Sequence, residues 1–257
     1  MVFSLPAVPD VIIGGAPRSG TTFLCEMLSK HPHLFIPRPF APEPKVCLVP
    51  DSHGTRGLLA RYERLFASAP DGAIRIEKTA NYFENSEART RIADLLPDVK
   101  LIFLLREPVA RAYSNWSWSR KNGLETLTFA EAILLEGKRI SPFGPDREHV
   151  RPFDYMLRGR YGTFAERWIN VFGRERIAFM LFEDALLKPE AFASRVQLFI
   201  GVEPISWDLL RTGRINATEP DANGLDPGLE HELRERIAPE VLRFSSITGL
   251  DVSTWGY

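Results

Sequence analysis

Apolar positions along the chain fall into two kinds of run. Val11-Ile-Ile13, Val99 to Leu105 and Arg176 to Phe182 are short and nearly continuous, the pattern of strands buried on both faces. Ala73 to Glu77 alternates apolar with polar and predicts a further strand, and Leu34-Phe-Ile36 a short extended run between prolines. Elsewhere apolar residues recur every three or four positions, the helical period. Phe23, Leu24, Met27 and Leu28 form one such stripe; Leu58, Leu59, Tyr62, Leu65 and Phe66 form another. Val109, Ala112, Tyr113 and Trp116 follow, then Tyr161, Phe164, Trp168 and Val171, and then Phe192, Val196 and Phe199. Glu87 to Leu96 reads as a helix, and Leu229, Leu233 and Ile237 begin a helical stretch expected to break at Pro239 before Leu242 and Phe244. Strands alternating with helices predict an α/β fold, a central parallel sheet flanked by helices. With 257 residues, 44% of them hydrophobic, and no repeat or linker, residues 1–257 are expected to form a single domain.

Charge and composition act mostly by exclusion. A formal net charge of -1 supplies no global field for nucleic acid, so an anionic ligand must be held by local arginine and lysine. Met1 to Asp10 lacks a positive start and a long apolar run, and no segment is apolar over about 18 residues, so neither export nor a membrane span is expected. Cys25 and Cys47 are too few for a disulfide framework and lack metal-site spacing, which suggests reduced thiols and a cytoplasmic location. His31 and His33 have no partner set for a metal and read as loop residues.

The candidate chemistry is concentrated at predicted strand ends. Val11 to Leu24 reads as strand, glycine-punctuated turn and helix, with Gly14, Gly15 and Gly20 in the turn. Free N–H groups and the positive dipole end at such a helix start favour a phosphate or sulfate. The glycine spacing matches the Walker A loop, G-x-x-x-x-G-K-[ST], but Thr21 stands where that loop carries lysine, and Arg18 supplies the charge instead. A second strand-to-helix switch places Arg106 at the strand end, Pro108 in the first helical turn and Ser114 two turns on, suited to one phosphate. Pairing of Arg106 with Glu107 or Asp98 is the structural alternative. Lys78 follows the strand at 73–77, where open α/β sheets collect ligands. The prolines of Arg38 to Pro50 stiffen a segment that carries Glu43 and Lys45. Trp116 to Gly123 and Gly137 to Pro152 read as exposed elaborations bordering an acceptor cleft, and Arg211 to Asn216 as a basic loop suited to closing over a phosphate.

Pro17-Arg18-Ser19-Gly20-Thr21-Thr22 resembles the 5′-phosphosulfate loop of the sulfotransferases that use 3′-phosphoadenosine 5′-phosphosulfate (PAPS). Glu43-Pro-Lys45, Glu77-Lys-Thr79, Leu104-Leu-Arg-Glu-Pro108 with Ser114, and the helix-strand pattern from Tyr161 to Glu183 extend the resemblance over most of the chain. Order and spacing are most similar to the heparan-sulfate and bacterial carbohydrate branch. The resemblance implies a P-loop-like fold and transfer of a sulfuryl group from PAPS, released as adenosine 3′,5′-bisphosphate (PAP), to a hydroxyl acceptor, with no metal. It assigns Pro17, Arg18, Ser19, Gly20, Thr21, Thr22 and Phe23 to the 5′ side of the donor and Arg106 and Ser114 to its 3′-phosphate, with Arg211 and Arg214 as further cofactor contacts. Lys78 and Arg18 would act at the transfer centre and Glu43 as base; Lys45, Trp116 and Trp118 are assigned to the acceptor.

Two departures from the family pattern stand out. Arg18 occupies a position where many members have lysine, and Lys45-Val46-Cys47 replaces histidine or lysine followed by aromatics. A P-loop kinase, which must explain the missing Walker lysine, and a catalytically silent nucleotide-binding module are the alternatives. The near-neutral charge favours a small glycoside, lipid or natural-product hydroxyl over an extended sulfated polymer.

Overall fold

The computed structural model describes residues 7–143, 152–212 and 224–257. The apolar runs form β1 (Val11–Gly15), β2 (Leu34–Phe35), β3 (Ile74–Lys78), β4 (Lys100–Leu105) and β5 (Ile177–Leu181), all parallel in the order β2-β3-β1-β4-β5. Around this sheet lie α1 (Thr21–Leu28), α2 (Gly54–Leu65), α3 (Ser86–Leu95), α4 (Pro108–Lys121), α5 (Phe129–Leu134), α6 (Tyr161–Phe172), α7 (Phe182–Leu187), α8 (Pro189–Ile200), α9 (Trp207–Leu210) and α10 (Pro227–Thr248).

Side chains alternate across a strand, so one sheet serves two cores. Ile12, Leu101, Phe103, Leu105, Ile177 and Phe179 face a layer that includes Tyr62 of α2, Ile92 of α3, Trp168 of α6 and Phe244 of α10. Val11, Ile13, Ile76, Ile102, Leu104 and Met180 face the other way, onto Leu24 and Leu28 of α1 and Phe192 and Val196 of α8. On β3 this alternation sends Glu77 to the side of the first core and Lys78 towards α1.

The sheet order also places the ligand crevice. From β1 the chain leaves towards β2 and β3, whereas from β4 it leaves towards β5, so β1 and β4 are neighbours whose following loops diverge. Such a switch point opens a crevice at the carboxyl ends of the strands. Both glycine- and arginine-bearing turns singled out in the sequence end there.

Three elements differ from the pattern-based expectation. Helix α4 continues to Lys121, so Trp116 to Gly123 is mostly helix and not a loop. Helix α10 runs through Pro239 without a break; Pro239 lies on its exposed face, where the backbone group left without its helical partner stays open to solvent. On α6, Phe172 is buried and Val171 is exposed, one position away from the predicted stripe. Residues 144–151 of the Gly137 to Pro152 segment lie outside the described residues.

Candidate active site

The turn after β1 is shaped by residues in unusual backbone conformations. Arg18 (φ 66°) and Lys45 (φ 54°) are the non-glycine residues with positive φ among the described residues, and both carry candidate-site segments. Conformations that L-residues avoid persist where surroundings over-determine them, often at functional sites. Gly20, at φ 86°, caps α1, and a Cβ there would lie 2.4 Å from the Phe182 ring. Gly20→Ala is therefore expected to destabilise the fold by about 1–3 kcal/mol, read from denaturant unfolding; an unchanged midpoint would contradict that packing.

No side chain caps α1, so the amides of its first turn keep their donors for a ligand. Beside them the buried Ser19 hydroxyl has no hydrogen-bond partner, which is unusual for a buried polar group. Donors without acceptors at the positive end of a helix fit an anion's oxygens.

The switch point brings the second cation set to this cradle. Arg18 Nε donates to Ser114 Oγ at 3.3 Å, joining the β1 turn to the second turn of α4. Burial, reinforced by the like charge of Arg106, pushes the Arg18 guanidinium below its ordinary pKa. Arg106 lies over the Phe182 ring at 5.9 Å, and no carboxylate of the described residues is within 4 Å of it. Glu107 does not neutralise it. Its carboxylate caps α4 by accepting from the amides of Val109 (3.1 Å) and Ala110 (2.6 Å), and also accepts from Tyr257 Oη at 3.0 Å. Arg106, beside Arg18 and the Ser114 hydroxyl, thus stands where a phosphate could be met.

The third cluster joins the proline-rich segment to the end of β3. Lys78 Nζ lies 2.6 Å from Glu43 Oε1 and donates to Thr22 Oγ1 at 3.3 Å, so one ammonium links the carboxylate to the first turn of α1. The side chains of Lys78 and Glu43 are 7% and 16% exposed, enough burial to hold both in place and enough access to meet a substrate. Glu43 Oε2 also accepts from the Ala80 amide at 3.1 Å. Glu77, the adjacent strand residue, faces the opposite side and is fully buried. Burial raises its pKa, opposed by hydroxyl donors from Tyr82, Tyr62 and Thr79 at 2.7, 2.7 and 2.8 Å.

The remaining sequence candidates distribute as follows. Pro17, Thr21 and Phe23 belong to the cradle and the first turn of α1. The Lys45 carbonyl accepts from the Leu48 amide in a turn below Glu43. Trp116 is buried, with its indole Nε1 donating to Leu127 O at 3.0 Å and its ring against Tyr113 and Phe129. That places it in the packing of α4 rather than on an exposed loop. Trp118 is 41% exposed. Arg211 follows α9, with its carbonyl bonded to Lys30 past the far end of α1 and its guanidinium 3.6 Å from Asp208. The structure does not bring Arg211 to the cradle. Arg214 lies outside the described residues.

Sequence reasoning quoted Thr79 only within Glu77-Lys-Thr79 and missed the hydroxyls of Tyr62 and Tyr82 on Glu77; their contacts to Cys47 span 15 and 35 residues, so no local spacing announces the cluster.

With this geometry in place, the comparisons are specific. Residues 8–211 match the family model described as a sulfotransferase domain, and the chain belongs to that family. It is 28% identical over 265 residues to human heparan sulfate glucosamine 3-O-sulfotransferase 3B1, covering 95% of this chain and 64% of that protein. Human heparan sulfate glucosamine 3-O-sulfotransferase 6 is 29% identical over 270 residues, covering 96% and 74%. The chain therefore spans just under two thirds of the first of these relatives. A crystal structure of a sulfotransferase from Alicyclobacillus acidocaldarius superposes with a TM-score of 0.75 at 26% identity, covering 98% of this chain and 100% of that one.

Proposed function

We propose that this chain transfers a sulfuryl group from PAPS to a hydroxyl of a carbohydrate or small-molecule acceptor. The observation that carries the proposal is Lys78 Nζ standing between Thr22 Oγ1 on the anion cradle and Glu43 Oε1. One cation thereby touches both the place where a transferring group would sit and a carboxylate able to receive a proton.

The chain's donor set fits PAPS. The first-turn amides of α1, the Ser19 hydroxyl and the Arg18 guanidinium suit the 5′-phosphosulfate, and Arg106 and Ser114 suit the 3′-phosphate. In the step itself, the acceptor oxygen attacks sulfur in line and the bond from sulfur to the 5′-phosphate oxygen breaks. Its electron pair stays on the phosphate of PAP, and the acceptor proton passes to Glu43. Lys78 neutralises charge on the sulfuryl oxygens while it crosses. Such transfers leave little covalent work to the protein, so positioning and electrostatic stabilisation dominate.

A kinase would need a different set. Thr21 replaces the Walker lysine, and the Glu77 carboxylate on β3 is already bonded to three hydroxyls, which removes it as a magnesium partner. The similarity to heparan sulfate enzymes supports a glucosamine-containing glycan among the acceptors, while the net charge of -1 supports short glycosides over long sulfated polymers. Cytoplasmic placement stays part of the proposal. It is supported by Cys25 and Cys47, free buried thiols in opposite layers of the sheet. No helix among the described residues is long and apolar enough to cross a membrane.

The test is incubation with PAPS and a set of glycoside, oligosaccharide and lipid alcohols, following PAP release and sulfonate mass gain together. Sulfonated acceptor supports the proposal; phosphorylated acceptor with Mg-ATP in its place overturns it. Arg106→Ala is expected to weaken PAP binding by about 1.5–3 kcal/mol, roughly 10- to 150-fold, in calorimetry. With no carboxylate of the described residues within 4 Å of Arg106, little change in melting temperature should accompany it. Unchanged PAP affinity would remove Arg106 from the 3′-phosphate site.

A further inference from the structure

Glu77 stands out because a fully buried carboxylate has been placed next to the reaction centre and given no route to it. Three hydroxyls saturate it: Thr79 and Tyr82 on Oε1, and Tyr62 on Oε2. Every one of these hydroxyls also reaches the proline-rich segment. Thr79 Oγ1 accepts from the Lys45 amide at 3.0 Å, Tyr82 Oη accepts from the Cys47 amide at 3.0 Å, and Tyr62 Oη lies 3.3 Å from Cys47 Sγ. The carboxylate thus orients three O–H groups inward, and their free lone pairs then point to the one stretch of chain that carries Glu43.

Two further observations mark that stretch as held and not merely packed. Lys45, two residues after Glu43, sits at φ 54°, a conformation a side chain disfavours and that its bonded amide fixes. Val46, Cys47 and Leu48 are buried in the first core, while Pro42 and Pro44 on either side of Glu43 are exposed. Glu43 therefore projects from a segment held on its N-terminal side by Arg38, bonded to Glu26 and Ser29, and by Phe40 against the second core. On its C-terminal side it is held by the hydroxyl cluster, which is the anchor nearer to Lys45 and shared with β3. Lys78 is covalently next to Glu77, so strand alternation aims the partner of Glu43 from the same anchor.

We infer that Glu77, acting through Thr79, Tyr82 and Tyr62, is a positioning residue that sets Glu43 against Lys78 for proton transfer. The inference rests on the sulfotransferase function proposed above. Glu77 itself has no proton-transfer role, since both oxygens are committed and no solvent reaches it. Its work is geometric: misplacing a catalytic group by about 1 Å can cost of the order of 10²-fold in rate.

Two measurements on the full chain test this, one of which needs no turnover. Thr79→Val keeps shape and removes the hydroxyl between Glu77 and the Lys45 amide; Thr79→Ser restores it. Hydrogen exchange of residues 43–48 is expected to accelerate about five- to tenfold in Thr79→Val and return towards wild type in Thr79→Ser, with PAP affinity within about twofold throughout. Unchanged exchange in Thr79→Val overturns the anchor whether or not an acceptor has been found. In single-turnover transfer, Thr79→Val and Glu77→Gln are expected to lose about 10- to 100-fold in rate with little change in PAPS affinity. Added to Glu43→Gln, Thr79→Val should cost nothing further, because its effect runs through Glu43. Accelerated exchange with native transfer, or an additive loss in the double variant, overturns the positioning role. Wild-type chain that binds no PAP and transfers nothing would instead overturn the proposed function, leaving the exchange result to decide the anchor.

Discussion

Glu43→Gln is expected to reduce single-turnover sulfuryl transfer by roughly 10²- to 10⁴-fold while PAP binding stays near native. Glutamine preserves size and can still accept the Ala80 amide that Glu43 Oε2 accepts at 3.1 Å. What it removes is the carboxylate 2.6 Å from Lys78 Nζ, and with it the group that receives the acceptor proton. Pro42 and Pro44 hold the backbone on both sides, so the variant should keep its place in the structure. The melting temperature is expected to fall little, since the glutamine amide oxygen can still accept from Lys78 Nζ, which also keeps its bond to Thr22 Oγ1. Near-native transfer at saturating PAPS and acceptor would dismiss Glu43 as the base. Glu77 could not inherit the role, being enclosed by three hydroxyls.

Lys78→Met should be comparably severe in rate and more costly in stability. Removing one preorganised donor from a transition-state oxyanion typically costs about 10²- to 10³-fold, and the ammonium bonds both Thr22 and Glu43. Methionine fills much the same volume but leaves the Glu43 carboxylate, 16% exposed, without its counter-ion. Breaking a fully buried pair costs about 3–5 kcal/mol, and the remaining Ala80 bond and partial exposure should bring this well below that range. Lys78→Arg is expected to recover only part of the rate, because a planar fork does not reproduce a point charge aimed at two oxygens. Single-turnover transfer, calorimetry with PAP and thermal melts together separate these effects. Full activity in Lys78→Met would show that the sulfuryl group is stabilised elsewhere.

Much of the architecture was legible because a parallel sheet covered on both faces demands continuous apolar strands, and β1, β4 and β5 show them. The anion cradle was legible for a local reason too: glycine spacing, Arg18 and the helix start lie within ten residues. Pro108 at the first position of α4 likewise marked the second switch. Contacts between distant segments were not visible. Trp116 recurs at the helical interval, yet spacing does not say whether such a face meets a cleft or Phe129, which joins it from α5. That short helix itself carried a signal, the Thr128 and Glu131 capping box, which pattern reading passed over. The network around Glu77 was hidden for the same reason, since Tyr62 reads as an apolar stripe residue and Tyr82 as part of no periodic run until their hydroxyls are seen to converge.

The proposal that the crevice between β1 and β4 is a PAPS site is tested most directly by calorimetric titration of the wild-type chain with PAP and, separately, with Mg-ATP. No acceptor is needed. The cradle amides, Arg18, Arg106 and Ser114 predict saturable one-to-one binding of PAP that Arg106→Ala weakens, with Mg-ATP binding far more weakly for want of a Walker lysine. Tight Mg-ATP binding with no heat from PAP would contradict the account.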